Sequence, residues 1–555
     1  MKIQRRSMLA GLGALGASPT LATAAAGDAA ATIAPTSVLP RGVSLTAMRR
    51  AIEEFRQIVG QDNLSVTSEK IAPYAKMYIP APDAQHLPVG ALAPDSVAQV
   101  QKILAVCNKY KVPVWPTSTG RNFGYGSSAP ATRGQMVLDL RRMNRILDVD
   151  VELGTTLLEP GVTYQQLLDH FTDNKLPLWI DCPTIGPLVG PVGNTLDRGV
   201  GYTPYGEHFM FSCGMEVVMA DGKVLRTGMG SVAKSNTWQA FKWGYGPYLD
   251  GIFTQSNYGV VTKLGLWLMH KPPVYKPFMI RYQNEADIDK IIDTLRGLRL
   301  SNIIPNVVLM MHGLYEVGMF KRRHEIHAGP GPIPEEAMRR AFKEMGVGVW
   351  NAYFALYGSP EQVAVNEQIV RAVVAPSGGE ILTKEEAKDN VVFHHHELLM
   401  SGQLTLEELG LFRWRGAGGG AAWFAPVAKA IGSEAGKQVK MARKVLDGFG
   451  FDYTAGFAIG WRDLHHIVCV LHDRSVPDEK LRAQQCFDRL IDDFAAEGYG
   501  TYRTNIANMD KVANTFGPVK REIDHKLKRA LDPNNIIAPG KSGIDLFNRF
   551  GASHA

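Results

Sequence analysis

The sequence holds no CxxC pair and no CxxCH motif, and its five cysteines (Cys107, Cys182, Cys213, Cys469, Cys486) are scattered over 555 residues. That spacing excludes a zinc ribbon, a disulfide framework and a haem attached to this chain. Charge of one sign is also lacking. Sixty Lys and Arg face 54 Asp and Glu, a net charge of +6, too little for the footprint of a nucleic-acid binder. No internal repeat is present. What is there is ordinary for a globular chain, with 45% apolar and 21% charged residues, which excludes a disordered, collagenous or coiled-coil protein. Single hydrophobic cores stop growing near roughly 250–300 residues, so at least two domains are expected.

Residues 1–26 predict an address rather than a structural element. Lys2, Arg5 and Arg6 precede a short apolar run from Met8 to Ala17, then Pro19 and the small residues Ala22–Ala24, the pattern of a bacterial export signal. The run is shorter than the ~20 residues of a membrane span. Arg5-Arg6 before Ser-Met-Leu predicts the twin-arginine route, which delivers folded protein to the periplasm; an ordinary unfolded-chain signal is the alternative. Gly11–Gly16 fits GxGxxG, but neither the strand nor the βαβ unit that a dinucleotide site requires surrounds it. Residues 27–45, rich in Ala, Thr and Pro, are expected to form a flexible lead-in.

The rest reads as an α+β chain. Apolar spacing predicts helices from Thr46, over 95–110 with Asp95 as N-cap, and over 163–172, 285–298, 335–345, 360–372, 433–447, 478–497 and 519–530. Strands are predicted at 112–118, 136–140, 146–150, 155–161 and 259–269, with a hairpin around Asp221-Gly222. Pro272, Pro273 and Pro277 mark a domain edge.

Glycine is concentrated in three loops, 118–130, 190–208 and 246–265, each near an apolar strand. Glycine lets backbone N–H groups approach a ligand closely, and such loops suit a pyrophosphate, with Arg121 adding charge. None of the loops contains GxxxxGK[ST] or GxSxG, so nucleotide hydrolysis and α/β-hydrolase chemistry lose support. His394-His395-His396-Glu397 is a weak metal candidate, because consecutive residues point in different directions.

Nine segments carry a resemblance: GRNFGYG (120–126), EPGVTY (159–164), GNTLDRGVGYTPYGEH (193–208), GMEVV (214–218), RTGMG (226–230), GYGPYLDGIFTQSNYGVVTK (244–263), RDLHHIV (462–468), YRTN (502–505) and DPNNIIAPGKSGI (532–544). In order and spacing the chain resembles the vanillyl-alcohol oxidase and 4-cresol dehydrogenase family of flavoproteins, nearer the dehydrogenase branch. The resemblance implies a two-part PCMH-type FAD-binding domain, residues 46–270 and 501–555, with an α+β cap domain over 271–500.

It also implies site residues. Tyr125, Tyr502 and Arg503 would hold the oxygen of a para-substituted phenol. Asp181 is similar in placement to an acid near the flavin and would activate water. Ser118, Thr119, Gly120, Arg121, Asn122, Gly124, Gly193, Asn194, Gly201, Tyr202, Gly206, Gly259, Val260, Arg503 and Lys541 would cradle FAD. Phe412, Gly456 and Glu408 would border the substrate, and His465-His466 would support the flavin site. Two departures stand out. Phe412 and Ala421 occupy the positions of the family's tyrosyl and histidyl flavin links, which implies noncovalent FAD. Gly456 replaces a glutamate of the 4-cresol branch, which implies a wider pocket for a bulky phenol.

The expected activity is hydride removal from the benzylic carbon of a 4-alkylphenol, through a para-quinone methide. Electrons would pass to a separate c-type cytochrome or copper protein. An oxidase that reduces dioxygen, and a catalytically silent flavin-binding protein, are the alternatives. The resemblance further implies a homodimer, with no metal site and no membrane span.

Overall fold

The computed structural model describes residues 38–547; the segment expected to be an export signal and the lead-in up to residue 37 lie outside them. The described end of the lead-in is packed rather than flexible, since Val38 and Val43 are buried apolar side chains. Helix Leu45–Val59 follows, capped by the Ser44 hydroxyl, and buries Met48, Ile52 and Phe55 on one face. Helix Val97–Tyr110 is capped by Ser96 and not by Asp95. Either side chain can accept from a first-turn N–H, and the apolar face that must meet the core sets which one does.

Two sheets form the part that carries the glycine loops. A four-stranded sheet runs in the order Leu64–Ser65, Gly90–Leu92, Met136–Asp139, Val114–Thr117, with Met136–Asp139 parallel to both of its neighbours. Five antiparallel strands form the second, ordered Ile146–Asp150, Thr155–Leu158, Gly259–Trp267, Ser212–Met219, Val224–Arg226. The C-terminal segment returns to the first sheet. Val114 donates to the Ile536 carbonyl at 2.8 Å, and Ala538 donates back to the Val114 carbonyl at 2.7 Å. This return closes the edge of Val114–Thr117 and brings Lys541 to the glycine loops.

Residues 274–473 build one large antiparallel sheet. Its strands lie in the order Glu380–Thr383, Val274–Tyr282, Trp350–Gly358, Val308–His312, Thr454–Ile459, Asp463–Asp473, Gly419–Phe424, and Val427–Lys429 also pairs with Asp463–Asp473. Trp350–Gly358 is buried through its first seven residues, so it has no period-2 alternation to announce it. Helices Gly313–Phe320 and Val391–Met400 are likewise buried on most sides, and no amphipathic stripe marks them. Among the described residues no helix is long and apolar enough to cross a membrane.

Candidate active site

A large cavity runs between the glycine loops and the big sheet. Its walls come from residues 115–127, 183–202 and 253–261, from the C-terminal return, and from Leu309, Met311, Trp423 and Ile467 on the sheet. With the open solvent at its mouth included it encloses about 1970 Å³ of atom-free space.

Tyr125, Tyr502 and Arg503 meet at one end. The Arg503 guanidinium lies 3.9 Å from the centre of the Tyr125 ring. Arg503 Nη2 donates to Asn122 Oδ1 at 2.6 Å, and its buried Nε has no partner. Tyr502 stacks on His465, ring centres 4.4 Å apart, and His465 Nε2 lies 3.1 Å from Asp463 Oδ2. Burial raises both tyrosine hydroxyls, with Arg503 opposing, so both remain neutral O–H donors. Burial also works against the Arg503 charge, but Tyr125, Asp197 and Tyr502 outweigh it. The result is two donors and a fixed cation, the chemistry that favours a phenolate over a phenol.

Asn122 passes this arrangement on. Its Nδ2 donates to Asp197 Oδ2 at 2.9 Å, and Lys541 bonds the other oxygen. Burial would raise Asp197, yet Lys541 and Arg503 hold it below the usual carboxylate range. Glu408 sits on a different part of the wall, where the hydroxyls of Thr184 and Tyr315 both donate to it. Burial raises this carboxyl above its ordinary range.

The expected residues divide into those at the cavity and those behind it. Tyr125, Tyr502, Arg503, Glu408, Ser118, Thr119, Gly120, Arg121, Asn122, Gly193, Asn194, Tyr202, Gly259 and Lys541 all line it. Asp181 does not. Its Oδ1 lies 2.7 Å from His208 Nε2, and its Oδ2 accepts from Thr203 N at 2.7 Å. It latches the second glycine loop from behind, and the polar side chain of its segment that reaches the cavity is Thr184.

Gly201 serves that latch. A Cβ there would lie 1.3 Å from Asp181 Oδ1. Gly206 packs on the Gly201 backbone. Gly124, at φ 73°, gives way to Trp423, whose ring would be 1.9 Å from a Cβ. Val260 is buried on the opposite face from Gly259 and Val261, the alternation of a strand.

Phe412 packs edge-on against Tyr78 and near Trp423, and Ala421 is a buried strand residue whose N–H donates to the Tyr78 carbonyl. Gly456 does not open the cavity as expected. Its side-chain space is filled by Met311, whose Sδ would be 2.3 Å from a Cβ, and Met311 itself forms the wall. Thr184, Asp197, Tyr315, His395, His396 and Trp423 also line the cavity and were not expected there. His395 and His396 carried a hint in the His-rich run, but only the helix that buries them gives it direction.

The walls fit FAD. Ser118 stands against Gly193 so closely that a Cβ would be 2.0 Å from its Oγ, leaving bare backbone for a phosphate. Ser127 Oγ and Arg503 Nε are buried at the wall without partners, and a polar ligand would satisfy them.

Comparison with known proteins agrees. Residues 88–228 match an FAD binding domain family. The chain is 52% identical to the 4-cresol dehydrogenase (hydroxylating) flavoprotein subunit of Pseudomonas putida, over 93% of this chain and 99% of that protein. A crystal structure of p-cresol methylhydroxylase with substrate bound superposes with a TM-score of 0.91, at 52% identity, over 92% of this chain and 99% of that one. A 4-ethylphenol oxidase from Gulosibacter chungangensis, solved as an isoeugenol complex, gives 0.89 at 34% identity over 91% and 99%. A PCMH-type FAD-binding fold, a cavity whose walls fit FAD, and half the residues shared across nearly the full length lead to one statement: the chain belongs to the 4-cresol dehydrogenase flavoprotein family and is an FAD-dependent oxidoreductase acting on alkylphenols.

Proposed function

We propose that this protein removes a hydride from the benzylic carbon of a para-alkyl phenol, through a para-quinone methide, and hydroxylates that carbon with water. The observation that carries this reading is the meeting of Tyr125, Tyr502 and Arg503 at one end of a cavity that also holds Glu408. Bound FAD supplies the two-electron acceptor that no side chain provides.

The donors hold the phenol oxygen as phenolate, so electron density moves to the para position and the benzylic C–H bond weakens toward hydride loss. The same donors then face the carbonyl-like oxygen of the methide, where charge returns as water attacks. Water's oxygen bonds the methide carbon, its proton passes to the Glu408 carboxylate, and the ring regains its phenolate. Overall the substrate and one water together lose two electrons and two protons, and the water oxygen stays on the benzylic carbon.

FAD is held noncovalently in this proposal, because Phe412 and Ala421 offer no nucleophile for a link. The electrons leave to a separate c-type cytochrome or copper protein, in the periplasm after twin-arginine export. Met311, rather than Gly456, sets the width available to the para substituent. Anaerobic addition of 4-ethylphenol tests the reading: the yellow colour should bleach, and return with an added cytochrome but not in air. No bleaching across a panel of phenols overturns it, and return in air alone makes the protein an oxidase.

A further inference from the structure

Beyond Glu408 the cavity wall carries a histidine that the reaction above does not use. His396, on helix Val391–Met400, lines the cavity and is 2% exposed. Its Nε2 lies 3.1 and 3.2 Å from the two oxygens of fully buried Glu316. Its ring stacks on Tyr353 with centres 3.7 Å apart. Both contacts fix the ring, and they leave Nδ1 buried with no partner.

Burial raises the Glu316 carboxyl and lowers His396 to about 3, so both are neutral near neutral pH. The acid O–H then donates to Nε2, and the remaining ring proton sits on Nδ1. An unpaired buried donor is destabilising unless something else satisfies it. Glu408 belongs to the same part of the wall, since Tyr315, which donates to it, is the chain neighbour of Glu316 on helix Gly313–Phe320.

Resting on the alkylphenol reading, we propose that His396, held by Glu316 and Tyr353, is a specificity residue. It donates from Nδ1 to an oxygen on the substrate's para side chain, beyond the benzylic carbon. The preferred substrates are para-substituted phenols whose side chain carries an ether, hydroxyl or carbonyl oxygen. Simple alkyl chains of the same length fill the space but leave the donor unpaired.

The FAD-loaded enzyme tests this with two isosteric phenols, 4-(2-methoxyethyl)phenol and 4-butylphenol. The native protein should prefer the ether in kcat/KM by roughly five- to tenfold, the worth of one net hydrogen bond. His396→Phe should bring the ratio to about one. His396→Asn, whose amide reaches the Nδ1 position, should keep the preference. His396→Gln reaches only the Nε2 position and should lose it, which preserves the test if the phenylalanine variant fails to load FAD. A native ratio near one, or a preference that survives in both His396→Phe and His396→Gln, overturns the inference. If neither these phenols nor 4-ethylphenol is oxidised, the reading of the reaction itself has failed.

Discussion

Arg503 stands over the face of the Tyr125 ring, 3.9 Å from its centre. One residue comes from the first glycine loop and the other from the C-terminal return, so the arginine both supports the tyrosine and presents a cation against its ring. This pair is what the proposed phenolate-binding end of the cavity rests on.

Replacing Arg503 with Met should lower kcat/KM by roughly 10²–10³-fold, the cost of losing one preorganised donor to a developing oxyanion. Without the cation the bound phenol ionises less readily. The rising limb of the kcat/KM pH profile should therefore move to higher pH, and an unmoved profile would count against the role.

Glu408 makes a prediction through its protonation state. Burial raises its carboxyl above the ordinary range, and only the carboxylate accepts a proton from water. Alcohol formed per electron pair should fall as pH drops through that raised value. In Glu408→Gln the yield should be low and nearly independent of pH. Product analysis by chromatography across the acid range decides the matter.

Asp181→Asn should affect the fold and spare the chemistry. The carboxylate ties Thr203 and His208 behind the second glycine loop, so the substitution should cost about 1–3 kcal/mol of stability. The kcat of the FAD-loaded variant should stay near the native value. A large loss of kcat at unchanged melting temperature would return Asp181 to a catalytic role.

Met311 and Gly456 should behave as a pair. Met311→Ala should cost roughly 2–5 kcal/mol, as buried Met truncations do, and raise the rate on bulky para substituents relative to 4-ethylphenol. Gly456→Ala pushes on Met311 Sδ and on the Met310 carbonyl, 2.8 Å from the new Cβ. It should narrow the selectivity in the opposite direction, as a competition assay between two phenols would show.

Flavin attachment is checked by acid precipitation. All yellow colour should appear in the supernatant; flavin retained by the precipitated protein would mean a link through a residue other than Phe412 or Ala421.

Much of the site was legible because its ligands lie in short contiguous motifs. Ser118 to Asn122 and Tyr502-Arg503 are near neighbours in the chain, and glycines mark where backbone meets a ligand. Asp181 misled because it sits next to Cys182, three residues from Thr184, and the turn at Pro183 sends Asp181 behind the loop and Thr184 toward the cavity. Gly456 misled because an absent side chain reads as space, whereas the neighbouring strand supplies Met311 to fill it.

By itself the sequence determined the α+β class and the three glycine loops, since helix and strand periodicity and bare-backbone loops are local properties. Only the tertiary structure decided which polar groups face the cavity. Tyr315 and His396 line it, with Glu316 and Tyr353 holding His396, and all four come from strands and helices buried on nearly every side, where no amphipathic stripe records which direction is inward. Their meeting depends on the register of the large sheet, and register is set by packing across strands that lie far apart in the chain.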